Sequence, residues 1–322
     1  MLTFAGRRLL YSLPVVVLAS FILFVGVRAT FDPLAKLRQG RDPAVVAEQV
    51  ARLGLDRSIV EQYGLWMKAF LTGDWGMSTR TDGAVLPMVA SALGTTIQLI
   101  VWGVLFAALL ALAIGVYSAA RQYSAGDHLF TGLSYLGVAL PPFWCGLILI
   151  QALSVWPRQQ FGLAEPPLFF IGLHSPGHSG FDADYFRHLA LPVLTLTVGL
   201  VASWSRFSRA ALLEALSSDY VRTARAKGVP RGRVFIRHAL RNSLAPFVTV
   251  VALDSAILVG GLVVTEQIYA IPGMGRLFLD SLIAGDVFVL LPWMLITALA
   301  MILLNLLADI GYAALDPRVA LR

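Results

Sequence analysis

YVRTARAKGVPRGRVFIRHALRNSLAP (Tyr220–Pro246) is the most basic stretch of an otherwise apolar chain. Widened to Arg206–Arg241, it holds nine Arg or Lys residues against Glu214 and Asp219 alone, an excess of +7. Long, nearly charge-free runs lie on both sides. The chain has 322 residues, 57% hydrophobic and 14% charged, with mean hydropathy +0.74. Soluble domains carry roughly 25% charged residues, and several of these runs approach or exceed the ~20 apolar residues that cross a bilayer as a helix. The chain therefore reads as an all-α, polytopic membrane protein.

Six spans are expected: 9–27, 93–120, 129–156, 188–205, 244–264 and 287–308. The first is too long for a signal-peptide apolar core, and Val27-Arg28-Ala29 is a poor cleavage site, so 1–29 is expected to stay as a helix with a cytoplasmic N-terminus. Residues 30–92 form an external segment with two helices, one capped by Asp42 and running to Leu53, one from Ser58 to Leu71. Val60, Tyr63, Leu65 and Trp66 are expected to share a face there, and Gly73–Ser78 to form a turn. Residues 93–322 make a five-helix core containing a cytoplasmic loop at 206–243. Six spans return the C-terminus to the cytoplasm. The loop with the +7 excess then lies inside, as the positive-inside rule requires. That rule also accounts for the net charge of +6, and no nucleic-acid-binding signature accompanies it.

Within the basic loop, Asp219 is expected to cap a helix over Tyr220–Lys227, and Gly228 to end it in the left-handed conformation. Pro230 bars simple continuation, and a second short helix is expected over Arg231–Asn242. Tyr220, Val221 and Ala224 give the first helix a small apolar face ringed by Arg222, Arg225 and Lys227. Such an elbow fits a soluble docking partner; a basic helix resting on anionic lipid is the alternative.

Other features were weighed for chemistry. Pro141-Pro142 should kink or break the third span, which marks a packed or pathway-lining helix. Asp254 lies mid-span, where an acid is costly and a functional candidate: it could meet a cationic substrate group, pair with a partner subunit, or relay protons in a secondary transporter. A secondary transporter should show a repeated half, and none is visible. Glu266 falls in an external turn or gate. His174, His178 and His188 match no tight metal-ligand spacing, and the single cysteine, Cys145, reads as a small buried apolar residue. Gln151, Ser154 and Ser203 form no nucleophile–base pair. The three lysines, Lys36, Lys68 and Lys227, are not preceded by Gly, so no G-x-x-x-x-G-K-[ST] phosphate loop is present.

RTARAKG (Arg222–Gly228) resembles the EAA loop of ABC-importer permeases, and the fuller DYVRTARAKG…RHALRNSLAP resembles its variant in dipeptide, oligopeptide and nickel permeases. Arg222 and Thr223 stand where the general form has Glu and Ala; His238, Leu240 and Arg241 stand where it has Ile, Leu and Pro. RLGLD (Arg52–Asp56), EQYGLWMKAFLTGDWGMS (Glu61–Ser78), LPPFWCG (Leu140–Gly146), VVTEQIYAIPGMGRL (Val263–Leu277) and LDPR (Leu315–Arg318) resemble the same family in the same order. Asp254 departs from it, as does Gly285-Asp286-Val287-Phe288. The resemblance implies a multi-pass subunit of the bacterial plasma membrane forming half of a translocation pathway, for peptides or related solutes. It implies a second permease subunit, an external binding protein and two cytoplasmic ATPases that carry ATP-Mg and dock on Tyr220, Val221, Arg222, Thr223, Ala224, Arg225, Ala226, Lys227 and Gly228. No cofactor is expected on this chain itself.

Overall fold

The computed structural model describes residues 2–34, 38 and 43–315. The expected cap at Asp42, most of the LDPR motif and the chain's C-terminal tail lie outside the described residues. Among those described, the secondary structure is helical apart from one isolated bridge between Met77 and Ala84. Four helices are long and apolar enough to cross a membrane, or five if one sharply bent pair counts as a single span.

The first helix, α1 (Leu2–Thr30), is followed by α2 (Pro43–Leu53) and α3 (Ile59–Thr72). Ser58 and Glu61 form a reciprocal capping box at the start of α3, and Gly73 closes it. Tyr63 and Trp66 of α3 pack on Phe24 of α1. Val60 and Leu65 lie outside that contact and are both exposed; Leu65 is two residues from Tyr63, and residues two apart do not face each other on a helix.

The core is built on α4 (Val85–Ala120) and α8 (Ala183–Ser217), whose packing is the most extensive in the molecule. Small residues allow it. A Cβ on Gly115 would fall 2.9 Å from the backbone nitrogen of Arg209. α4 begins ahead of the expected span at 93–120 and ends with it, whereas α8 extends beyond both ends of the expected span at 188–205.

The third expected span is broken, not merely kinked. α5 (Ala125–Ala139) ends before Pro141, and α6 (Pro142–Ile150) restarts with proline at its first position, where no amide donor is needed. A π-helical turn (Gln151–Val155) leads into α7 (Trp156–Gln160), and the two halves of the pair are bent by 108°.

α9 (Asp219–Ala226), α10 (Arg231–Arg233), a second π-helical segment (Val234–Leu240) and α11 (Arg241–Leu258) form the basic region. The expected short helix over Arg231–Asn242 is thus no separate element; it runs without a break into the fifth expected span. That span stops at Leu258, earlier than its apolar run suggests. Gly261, at φ 102°, turns the chain into α12 (Val263–Ile268). α13 (Met274–Ala284) and α14 (Val287–Leu315) complete the described fold.

Candidate functional site

The elbow is assembled from its apolar side. Val221 and Ala224 of α9 are buried against Ala119 of α4, Leu212 and Ala215 of α8, and Val234 and Ala239 of the π-helical segment. Two of the three residues in the small apolar face that the sequence offered to a partner are therefore taken up by the chain itself, and Tyr220 is not. Together the two fix α9 to three long elements at once. Tyr220, Arg222, Thr223, Arg225, Ala226, Lys227 and Gly228 stay exposed on the opposite side.

The two ends of α9 explain its angle. Ser218 takes the extended N-cap position, but its hydroxyl donates back to the Ala215 carbonyl at 2.6 Å and caps nothing in α9. Asp219 is the first helical residue, not the cap; it pairs with Arg222 one turn on and places negative charge at the positive end of the helix dipole. At the other end Gly228 sits at φ 76°. Its N–H donates to Arg225 and that of Val229 to Ala224, at 3.0 and 3.2 Å, which is the paired closure that a left-handed residue permits. Pro230 then turns the chain into α10.

A partly buried ion pair holds the base of the elbow. Arg209 of α8 donates twice to Asp127 at 2.8 Å, and Asp127 also accepts the Tyr123 amide at 2.9 Å. Sequence reading missed this pair, since its members lie 82 positions apart and each looks like an ordinary loop charge.

The pathway candidates separate into two groups. Pro142, Cys145, Thr195, Leu258, Gly261 and Thr265 help to line an apolar cavity of about 390 Å³ at the break between α5 and α6. Pro141 sits in the break itself, in extended backbone. Asp254, by contrast, accepts a 2.7 Å hydrogen bond from the indole of Trp204, itself fully buried. This partner lies within the chain, an arrangement the sequence did not suggest.

Glu266 is completely buried. One carboxylate oxygen accepts from the Thr96 hydroxyl at 2.7 Å and the other from the Arg276 amide at 2.9 Å. Thr96 in turn accepts the Met274 amide at 2.7 Å. Glu266 thus knits α4, α12 and α13 together beneath the Tyr269–Arg276 turn. A second buried acid, Asp286, accepts from Ser78 at 2.6 Å and from the Arg80 amide at 3.3 Å, tying the 73–84 turn to the start of α14.

His178, Asp182 and Asp184 lie close enough together to hold an ion. Each already has a protein partner: Asp182 caps α8 through the Tyr185 amide and pairs with His178, while Asp184 accepts from Ser175. The hydrogen bond that the His178 imidazole donates to Asp182 raises its pKa above the ordinary value. His174 and His188 bond instead to backbone carbonyls of Gly180 and Asp184.

The sequence from 111 to 321 matches the family model described as binding-protein-dependent transport system inner membrane component. The chain is 35% identical to the oligopeptide transport system permease protein AppB of Bacillus subtilis, over 97% of this chain and 98% of that one. It is 34% identical to the dipeptide transport system permease protein DppB of Alkalihalophilus pseudofirmus, and 33% identical to DppB of Escherichia coli K12, each over 99% of both chains. Among solved structures, an inward-facing form of the MetNI methionine ABC transporter superposes with a TM-score of 0.54 at 17% identity. The match covers 71% of this chain and 96% of that one, and at that identity the likeness is one of fold.

Proposed function

The chain belongs to the family of binding-protein-dependent transport system inner membrane components, as a multi-pass protein of the bacterial plasma membrane, and from that premise we propose that it is the permease subunit of an ATP-driven peptide importer. The reading rests on one observation above the others: α9 is anchored by Val221 and Ala224 to α4, α8 and the lead-in to α11, and turns an exposed cationic face outward. A partner that grips this face moves three long helices together.

The full arrangement has six spans, both termini in the cytoplasm and the elbow facing the cytoplasm. Two ATPase subunits bind the exposed residues of Tyr220–Gly228 and carry ATP-Mg. Val221 and Ala224 act as anchors and do not touch the partner. A second permease subunit completes the pathway, and an external binding protein delivers peptide. Hydrolysis lies on the ATPases, and this chain converts their closure into alternating access. That conversion requires the two states of the permease to bind the ATPases with different free energy. The break at Pro141-Pro142 and the cavity beside it provide a non-helical segment next to the pathway, where freed carbonyls can meet water or substrate. With its carboxylate held by Trp204, Asp254 is read as a packing residue rather than a proton relay.

Gly228→Val tests the coupling. No atom lies within 4 Å of a Cβ at this position, but its φ of 76° is one that a β-branched residue resists. The variant is expected to insert into the membrane normally, yet to lose ATPase capture and peptide uptake when co-expressed with its partner subunits. Full uptake and capture would overturn the proposed role.

A further inference from the structure

The second arm of the elbow carries charge that docking by α9 does not use. Through the π-helical segment, Val234, Ala239 and Ser243 point inward while Arg233, Ile236, Arg237 and Arg241 are exposed. The wide π turn produces this alignment. Its i→i+5 bonding brings residues about five apart onto one face, whereas an α-helix would rotate Ala239 away from Val234. Three guanidinium groups therefore stand four residues apart along one exposed strip, with Ile236, 65% exposed, among them.

Several of the other arginines have carboxylate partners within the chain. Arg209 pairs with Asp127, Arg222 with Asp219, Arg187 with Glu165 and Arg80 with Asp280. Among the described residues, Arg233, Arg237 and Arg241 have no such carboxylate. The strip leads directly into α11, whose sequence turns apolar at Leu244. An exposed isoleucine flanked by unpaired cations, at the point where a helix becomes apolar, matches the boundary between water and a bilayer. Guanidinium forks bind phosphate oxygens bidentately.

We propose that Arg233, Arg237 and Arg241 form a binding strip for the phosphate headgroups of anionic phospholipids, distinct from the docking face of α9. The strip holds the second arm of the elbow at the membrane surface, so that a push on α9 is delivered against a fixed stem. Soluble phosphate shares the recognised chemistry, but the continuity with α11 and the exposed Ile236 commit the site to lipid.

The full-length chain in nanodiscs of phosphatidylglycerol or of phosphatidylcholine tests this, with bound lipid read by native mass spectrometry and ATPase capture measured in parallel. Wild type is expected to retain phosphatidylglycerol preferentially, and inorganic phosphate at matched ionic strength should not displace it. At roughly fivefold per basic residue, the Arg233→Gln/Arg237→Gln/Arg241→Gln variant should lose on the order of a hundredfold in that preference. The corresponding triple Lys variant should keep most of it, which separates charge from folding. Both variants should still capture ATPases through α9. Equal retention of the two lipids by wild type would overturn the proposal, as would an unchanged preference in the Gln variant. Loss of ATPase capture with lipid preference intact would instead assign the strip to the protein partner.

Discussion

The elbow and the Glu266 turn are both charged regions of the same core, and they dispose of charge in opposite ways. Thr96 and Ala119, which mark the two regions on α4, are separated by roughly 35 Å of helix at 1.5 Å per residue. At the Glu266 turn the acid is buried and satisfied by Thr96 and the Arg276 amide. At the elbow the apolar side chains are buried and the cations beyond Arg209 left outside: of these only Arg222 has a carboxylate partner among the described residues, and Arg225, Lys227, Arg233, Arg237 and Arg241 face outward. Charge that is satisfied within the chain holds the fold together, whereas charge left outside is available to a second molecule. Substitutions in the first region should therefore cost stability, and those in the second should cost interactions.

The largest expected effect is at the close approach beside Glu266. A Cβ at Gly275 would lie 2.5 Å from the backbone nitrogen of Val263, and Gly261 packs as closely from the other side. Backbone cannot yield as a side-chain tip can. Gly275→Ala should cost several kcal/mol, in the range of ~1–3 kcal/mol for overpacking or above it, and show as loss of monodisperse protein after detergent extraction. Recovery of wild-type amounts with an unchanged melting profile would show that the turn is looser than this geometry implies.

Next comes the ion pair at the foot of the elbow, the one place in that region where charge is internal. Arg209→Ala leaves Asp127, whose side chain is 3% exposed, without its partner. Breaking a fully buried pair costs about 3–5 kcal/mol, and the loss here should fall below that because the Arg209 side chain is 26% exposed. Thermal unfolding of the solubilised protein should register that loss, and adding Asp127→Asn should restore part of it. If Arg209→Ala were neutral, the division between internal and external charge would fail within the elbow itself.

The smallest effect on stability is expected for Arg222→Gln and Arg225→Gln. Both residues are exposed, and surface substitutions of this kind stay within about 0.5 kcal/mol. Their consequence should appear in ATPase capture, which weakens while the melting profile stays put. A matched fall in both readouts would mean that these arginines belong to the fold.

The distinction was only half legible in the sequence. Local rules found what depends on neighbours in the chain: the interruption at Pro141-Pro142, the left-handed closure at Gly228, the helix beginning at Ser58 and the turn after Thr72. The apolar periodicity of α9 was visible too, but a periodic face does not say whether its own chain or a partner covers it. Val221 and Ala224 proved to be anchors because Leu212, Ala215 and Val234 fold over them. The internal charges were illegible for a related reason. Asp286 meets Ser78 from 208 positions away and Glu266 meets Thr96 from 170, and no local pattern encodes such pairings. Asp254 was open to a substrate, a partner subunit or a proton relay, and its bond from the indole of Trp204, 50 positions away, is likewise encoded in no local pattern. The π-helical segment was missed because the polar residues up to Asn242 were set apart from the apolar run that begins at Leu244, which suggested a short separate helix in place of a continuous stem.

The most direct test of the docking face is disulfide-independent cross-linking from a single engineered cysteine. The native Cys145 is buried and can be replaced by Ala, after which Thr223→Cys presents a thiol on the exposed side of α9. In membranes holding the permease and its ATPase subunits, a short bifunctional reagent should join Thr223→Cys to an ATPase in high yield. The same reagent on Ile283→Cys, at the Glu266 end and 78% exposed in the native chain, should give no such product. An ATPase adduct from position 283 and none from 223 would contradict the assignment of the elbow as the coupling surface.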